Sequence, residues 1–399
     1  MKTHERLVTN RTHELKSPAG TKASGAVLGF LLLSVCYALT AGCAHRQCAT
    51  YPIGIYGVQS TNEQTIVREA GFNIVVGRAE TAYLDCARGL GLKVLAPPGT
   101  SAGPRFQPGR ARRVIQEFDR HPALWSWYLI DEPDLHAIAP EDVTRADRFV
   151  KSLGARKPTT LALYQGAEAF NYASAADIVM VDRYPVPWLP LANFPQHIRL
   201  ARFAAGKDKP LIAVIQAFDW NHYPQLRPPA ASFRPPTYEE IRCMTYAALA
   251  RRASGLFYYC YDDESWKMRD HADTWNALKR VIAEVNQLLP LFEAAHVWYP
   301  FVHEIEPAQH RFNEALETSI IPALLQIAEG NAFLAPGKYL LAVNTTDRQL
   351  NYRVALEELK VKSLPVLGET DEIILRGHWL EDRFEPYAVR VYGPLAWGK

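Results

Sequence analysis

Between residues 50 and 295, short apolar runs alternate with amphipathic segments. The runs are four to ten residues long and rich in β-branched and aromatic side chains, which predicts buried strands. They read Pro52–Val58, Asn73–Gly77, Lys93–Ala96, Trp125–Ile130, Thr159–Tyr164, Ala176–Pro185, Pro210–Phe218 and Gly255–Tyr261. Segments with helical spacing fall between them, over Asn62–Ala70, Tyr83–Gly89, Gln107–Asp119, Pro140–Leu153, Gln196–Ala205, Thr237–Ala253 and Asp273–Leu289. Thr237 with Glu240 three places later has the form of a capping box. Eight strands in about 240 residues predict a (β/α)8 TIM barrel, an α/β fold. A doubly wound open sheet is the competing architecture, but it would place a glycine-rich turn after the first strand, and none is present. From residue 296 to 399 the period changes. Lys338–Asn344, Tyr352–Leu356 and Tyr387–Tyr392 alternate with a period of two, separated by Gly, Pro and Asx, which predicts a small all-β sandwich domain.

Residues 1–43 follow a different logic. A polar, basic stretch carrying Lys2, Arg6, Arg11, Lys16 and Lys22 precedes an apolar run over Ala26–Leu39, short for a membrane span. That layout is an export signal. It ends in Leu39-Thr40-Ala41-Gly42-Cys43, which resembles a bacterial lipoprotein box, with Thr40 where Leu is commoner. The resemblance implies lipidation at Cys43 and attachment to a membrane of the cell envelope; an uncleaved anchor helix is the alternative. The other cysteines after the signal are Cys48, Cys86, Cys243 and Cys260, without structural-zinc spacing. Cys86 and Cys260 read as small buried hydrophobes, and no disulfide is indicated. The net charge of +2 gives no reason to expect nucleic acid as a partner.

The fourth strand ends in Asp131-Glu132-Pro133-Asp134. Proline cannot donate to a sheet ladder, so the strand stops there. In a parallel barrel that end faces the ligand crevice. Asp131 could instead cap a following helix. The other strand ends gather Glu80, Asp182, Tyr184, Gln216, Asp262 and Asp263, among the aromatics Tyr56, Trp220 and Tyr259. Carboxylates mixed with aromatics suit sugar chemistry. One acid protonates the departing glycosidic oxygen, a second serves as base or nucleophile, and rings stack on the apolar faces of sugars. Asp182 could equally pair with Arg78 or Arg183, and Asp262-Asp263-Glu264 could cap the last barrel helix. The clustered acids also admit a metal-dependent hydrolase. The lack of paired histidines at strand ends speaks against it, and no metal or cofactor is expected.

The barrel-plus-sandwich pattern, with its acid-Glu-Pro end on strand four, resembles the large clan of (β/α)8 glycoside hydrolases. The resemblance implies Glu132 as general acid/base, with Asp131 standing where the clan commonly has Asn, and Tyr184 as an active-site residue after strand six. It also implies a nucleophilic Glu at the end of strand seven, and here that position is Gln216, which cannot attack as a carboxylate. Either another acid, Asp182 or Asp262, takes that part, or the substrate assists, or the protein binds sugars without cleaving them. Tyr56, Glu80, Asp131, Tyr184, Gln216, Trp220 and Tyr259 are the expected sugar contacts. The proline-rich segment Asn221–Pro236 is expected to wall the groove.

Overall fold

A computed structural model describes residues 50–226, 232–307, 319–357, 359, 362–370 and 372–395. The segment expected to be an export signal, with Cys43 and Cys48, and part of the proline-rich segment lie outside the described residues. Eight parallel strands close a barrel in sequence order: β1 (Ile53–Ile55), β2 (Ile74–Val76), β3 (Lys93–Ala96), β4 (Leu124–Ile130), β5 (Thr159–Leu163), β6 (Ile178–Asp182), β7 (Leu211–Gln216) and β8 (Gly255–Tyr259). β8 returns to pair with β1 through Gly54 opposite Phe257. Several strands are shorter than the apolar runs that predict them. The excess at their carboxyl ends becomes the mouth of the barrel.

Side-chain size closes the interior. The Phe257 ring lies where a β-carbon on residue 54 would sit, 2.5 Å from that position, so only glycine fits there. Phe257 also stacks on Trp125 of β4 at 5.9 Å, across the barrel. The fill is a packed core rather than a pore. The Thr237–Glu240 capping box forms in both directions, and Arg234 adds a bidentate ion pair to Glu240. The helix it opens, Tyr238–Ala250, is buried nearly all round. Its second burial comes from the all-β domain: Arg242 donates to the Val389 carbonyl, and the Cys243 thiol to that of Asn344. Cys86, Cys243 and Cys260 are all free thiols.

The carboxyl-terminal part is built of antiparallel sheets. One has β9 (Ala295–Val297), β11 (Ile320–Ile327), β12 (Gly337–Asn344) and β17 (Val389–Leu395). A second holds β10 (His303–Glu306), β13 (Leu350–Ala355) and β16 (Trp379–Phe384), and β14 (Ser363–Pro365) and β15 (Glu372–Ile374) form a separate two-stranded ribbon. The period of two explains the packing. Ile320 and Leu324 of β11 point to a core shared with Tyr352, Leu380 and Phe384 of the other sheet, while Ile321, Ala323 and Leu325 join the barrel's core. The first sheet is therefore buried on both faces and docks the domain on the barrel.

Candidate active site

Two irregularities in β4 shape the mouth. The register slips by one residue against β3 at Trp125, and again against β5 at Leu129. Such bulges re-aim the side chains that follow. Tyr128 and Asp131 are three apart and would face opposite ways on a regular strand. Past the bulge they meet, and the Tyr128 hydroxyl donates to the Asp131 carboxylate. Tyr56, from the end of β1, continues the chain, its hydroxyl 3.1 Å from that of Tyr128. Each phenol has one proton. With Tyr128 giving its own to Asp131, Tyr56 is the donor between the two hydroxyls.

Glu132 follows at φ 43°, in the left-handed region. A β-carbon is disfavoured there, and such residues cluster at functional sites. The backbone is held by its N–H to the Ala162 carbonyl at 3.0 Å, and its own carbonyl receives the N–H groups of Leu135 and His136. The next regular helix begins only at Pro140, so Asp131 caps no helix. Asp134 holds the neighbouring loop instead, accepting from the backbone N–H of Tyr164 and Gln165 at 3.1 and 2.8 Å.

Across from Glu132, at the end of β6, stands Asp182. It is buried and forms no ion pair with Arg78 or Arg183: Arg78 pairs with Glu80, and Arg183 bonds Asn193. One Asp182 oxygen accepts from the Tyr184 hydroxyl at 3.3 Å, and the other finds no donor. The Glu132 carboxyl is within hydrogen-bond reach, so a proton held between the two acids satisfies that oxygen. Burial pushes the Glu132 carboxyl up to about 7, and the Asp131 charge pushes the same way. Asp182 is also raised, by burial first and then by the Glu132 charge. Two acids this close cannot both ionise cheaply, so one proton belongs to the pair. Asp131 is reached by solvent, yet the protein ringing that opening raises its carboxyl as burial would, against the pull of the Tyr128 hydroxyl.

Rings line the rest. Tyr259 lies 5.4 Å from Tyr56 and 5.6 Å from Tyr184, and Phe218 packs edge-on to Tyr184 at 5.1 Å. Trp220 donates its indole N–H to the Tyr184 carbonyl at 3.3 Å. Asp263 fixes this wall, accepting from Tyr259 at 2.8 Å and Tyr223 at 2.5 Å. Tyr223 belongs to the proline-rich segment, whose first residues thus join the aromatic cluster.

The structure brings together Tyr56, Asp131, Glu132, Asp182, Tyr184, Trp220 and Tyr259, and sets three expected residues apart. Gln216 is fully buried, its amide spent on the backbone of Val186 and Phe218 in three hydrogen bonds. It staples the loop after β6 to β7 and offers nothing to a sugar, which corrects the expectation of a contact. Glu80 is exposed and engaged by Arg78 at 3.6 Å. Asp262 accepts from the Glu264 N–H and pairs with Arg269 at 3.5 Å, while its backbone clasps Gly57. A β-carbon on Gly57, at φ 77°, would lie 2.0 Å from the Asp262 carbonyl oxygen, so that clasp requires glycine. Tyr128 and Asp134 are the site residues that sequence reasoning missed, and Asp263, read there only as one of the strand-end acids, holds the aromatic wall. Among the described residues no three His, Cys, Asp or Glu side chains gather as metal ligands would.

No family model matches the chain, and no curated protein sequence does. Solved structures do. One called simply a glycoside hydrolase superposes with a TM-score of 0.56 at 12% identity, covering 86% of this chain and 92% of its own. A glycoside hydrolase family 5 protein from Bacteroides vulgatus gives 0.53 at 13%, covering 86% and 88%. α-Galactosidase I from Mortierella vinacea gives 0.52 at 10%, covering 88% and 98%. The chain thus has the fold of (β/α)8 glycosidases, a barrel followed by an all-β domain.

Proposed function

We propose that the protein is a glycoside hydrolase acting on an oligo- or polysaccharide. The observation that carries this reading is the Glu132–Asp182 pair in a ring-lined mouth, where burial and the Asp131 charge push the Glu132 carboxyl up to about 7. A carboxylic acid still protonated near neutrality is what a glycosidic oxygen needs as it departs. Glu132 gives that proton to the leaving oxygen. Water then adds to the anomeric carbon, and its proton returns to the carboxyl pair. Asp182 bonds to Glu132 through a shared proton rather than standing apart from it. Asp182 therefore serves as the proton's second holder. The solvent-reached Asp131 carboxylate faces the positive charge that develops on the sugar ring.

The test is hydrolysis across a panel of natural oligosaccharides by the wild type and Glu132→Gln. Product release by the wild type alone is expected. Equal release by both ends the assignment, and release by neither favours a second reading, a carbohydrate-binding protein on a glycosidase barrel. Gln216, at the strand-seven end where the clan has its nucleophile, motivates that second reading. Export and lipidation at Cys43 belong to the same proposal. Cys43→Ser is expected to move the protein from the membrane fraction to the soluble one, and an unchanged distribution counts against the anchor.

A further inference from the structure

Arg183 lies one residue past Asp182, on the β5–β6 side of the mouth. It is half-buried and held on three sides. Its Nε donates to the Asn193 side-chain oxygen at 2.6 Å, its guanidinium lies 4.8 Å over the Tyr164 ring, and Trp188 stands 5.7 Å away. Trp188 is itself fixed, its indole N–H bonded to the Tyr184 carbonyl at 3.0 Å. The neighbouring His197 ring accepts from the Gly166 N–H, and burial and the Arg183 charge hold it in the neutral state. No carboxylate answers this cation: Arg183 makes no ion pair, and its two terminal amino groups have no hydrogen-bond partner among the described residues. The mouth is otherwise rich in acids, so an arginine left without one is not there for want of a partner. Asp134, on the loop after β4, is occupied by the Tyr164 and Gln165 N–H groups.

A guanidinium is a planar fork that matches the paired oxygens of an oxyanion, and stacking fixes its plane before the ligand arrives. We infer that Arg183, framed by Tyr164 and Trp188, binds an oxyanion substituent of the glycan, a uronic carboxylate or a sulfate ester, at a subsite beside the Glu132–Asp182 pair. This names the substrate class of the proposed hydrolase and rests on that reading for its catalytic meaning, though the binding stands or falls alone.

The test separates binding from hydrolysis. The Glu132→Gln protein, unable to turn substrate over on this reading, is titrated with oligogalacturonate, a 6-sulfated disaccharide and their neutral counterparts, in Arg183, Arg183→Lys and Arg183→Gln backgrounds. Melting curves establish that each variant is folded. Tighter binding of one acidic ligand than of its neutral counterpart is expected, weakened about tenfold in Arg183→Gln, which is ~1.4 kcal/mol, and weakened less in Arg183→Lys. The uronate and sulfate arms show which oxyanion it is. Equal affinity for acidic and neutral ligands, or acidic binding unchanged by Arg183→Gln, overturns the inference. Acidic binding without hydrolysis by the Glu132-intact protein leaves the subsite standing and removes the hydrolase.

Discussion

Two groups of acids sit on the same barrel and are treated oppositely. On its outside, Asp147 and Asp177 flank Thr159 and Lys151. Asp147 accepts from the Thr159 hydroxyl at 2.6 Å, Asp177 from the Thr159 N–H at 3.0 Å, and the Lys151 ammonium bridges both. Burial alone would raise the Asp177 carboxyl, but Lys151 and Thr159 outweigh it and hold it below the usual range. At the mouth, Asp131, Glu132 and Asp182 have neither lysine nor arginine, and the Glu132–Asp182 pair is left to share a proton. The first group has spent its charge on tying a helix to a strand. The second keeps its proton available. Residue type does not distinguish them; the company each keeps does.

Removing the shared proton's carrier has the largest expected effect. Glu132→Gln should lower kcat by about a thousandfold with little change in the melting curve at pH 5, measured on whichever glycan the wild type hydrolyses. Asp182→Asn takes away the other holder and the hydrogen bond that pulls the Glu132 carboxyl down, leaving burial and the Asp131 charge to raise it further. A loss of about 10- to 100-fold at pH 7, with the alkaline limb of the pH–rate profile moved up, is expected. An unshifted profile would mean that the two acids are not coupled.

Stability should separate the clusters by sign. Asp177 is held low in the folded state, so its contribution is present above the unfolded carboxylate range and is lost as pH falls through the folded value. Lys151→Met should therefore cost about 0.5–1 kcal/mol at pH 7, the half-exposed pair being screened by solvent, leave hydrolysis unchanged, and cost less at pH 3, as read by urea unfolding. Glu132 is raised, so folding favours its protonated form and stability declines as pH rises from about 4.5 to about 7. Glu132→Gln should remove that decline. The smallest effect is expected from Asp131→Asn. Without the adjacent charge the Glu132 carboxyl drops, moving the alkaline limb of activity down by about half a pH unit.

The barrel was legible because period and length are written directly into the chain: eight apolar runs, most of them ended by Pro, Gly or acid. Glu132 was legible for the same reason, as a charge where a buried strand must stop. Tyr128 was not. Its meeting with Asp131 depends on a bulge at Leu129, and nothing in an aromatic, apolar stretch marks which residue is extra. Gln216 misled from the other side. A polar side chain at a strand end reads as a ligand contact, yet an amide with two donors and an acceptor can equally be used up by backbone, and the loop after β6 takes all of it. Glu80 and Asp262 sit at the expected strand ends, but position along a strand does not say which way a loop then turns.

The contrast between the two acid groups comes down to one titration. With glutamate labelled at the side-chain carboxyl, 13C NMR resolves the Glu132 signal by its absence from Glu132→Gln and follows it against pH. A midpoint about 7 in the wild type, moving up in Asp182→Asn as the hydrogen bond that holds it down is lost, is expected if the pair shares a proton. A Glu132 midpoint near 4.5 in the wild type, indifferent to residue 182, would contradict it.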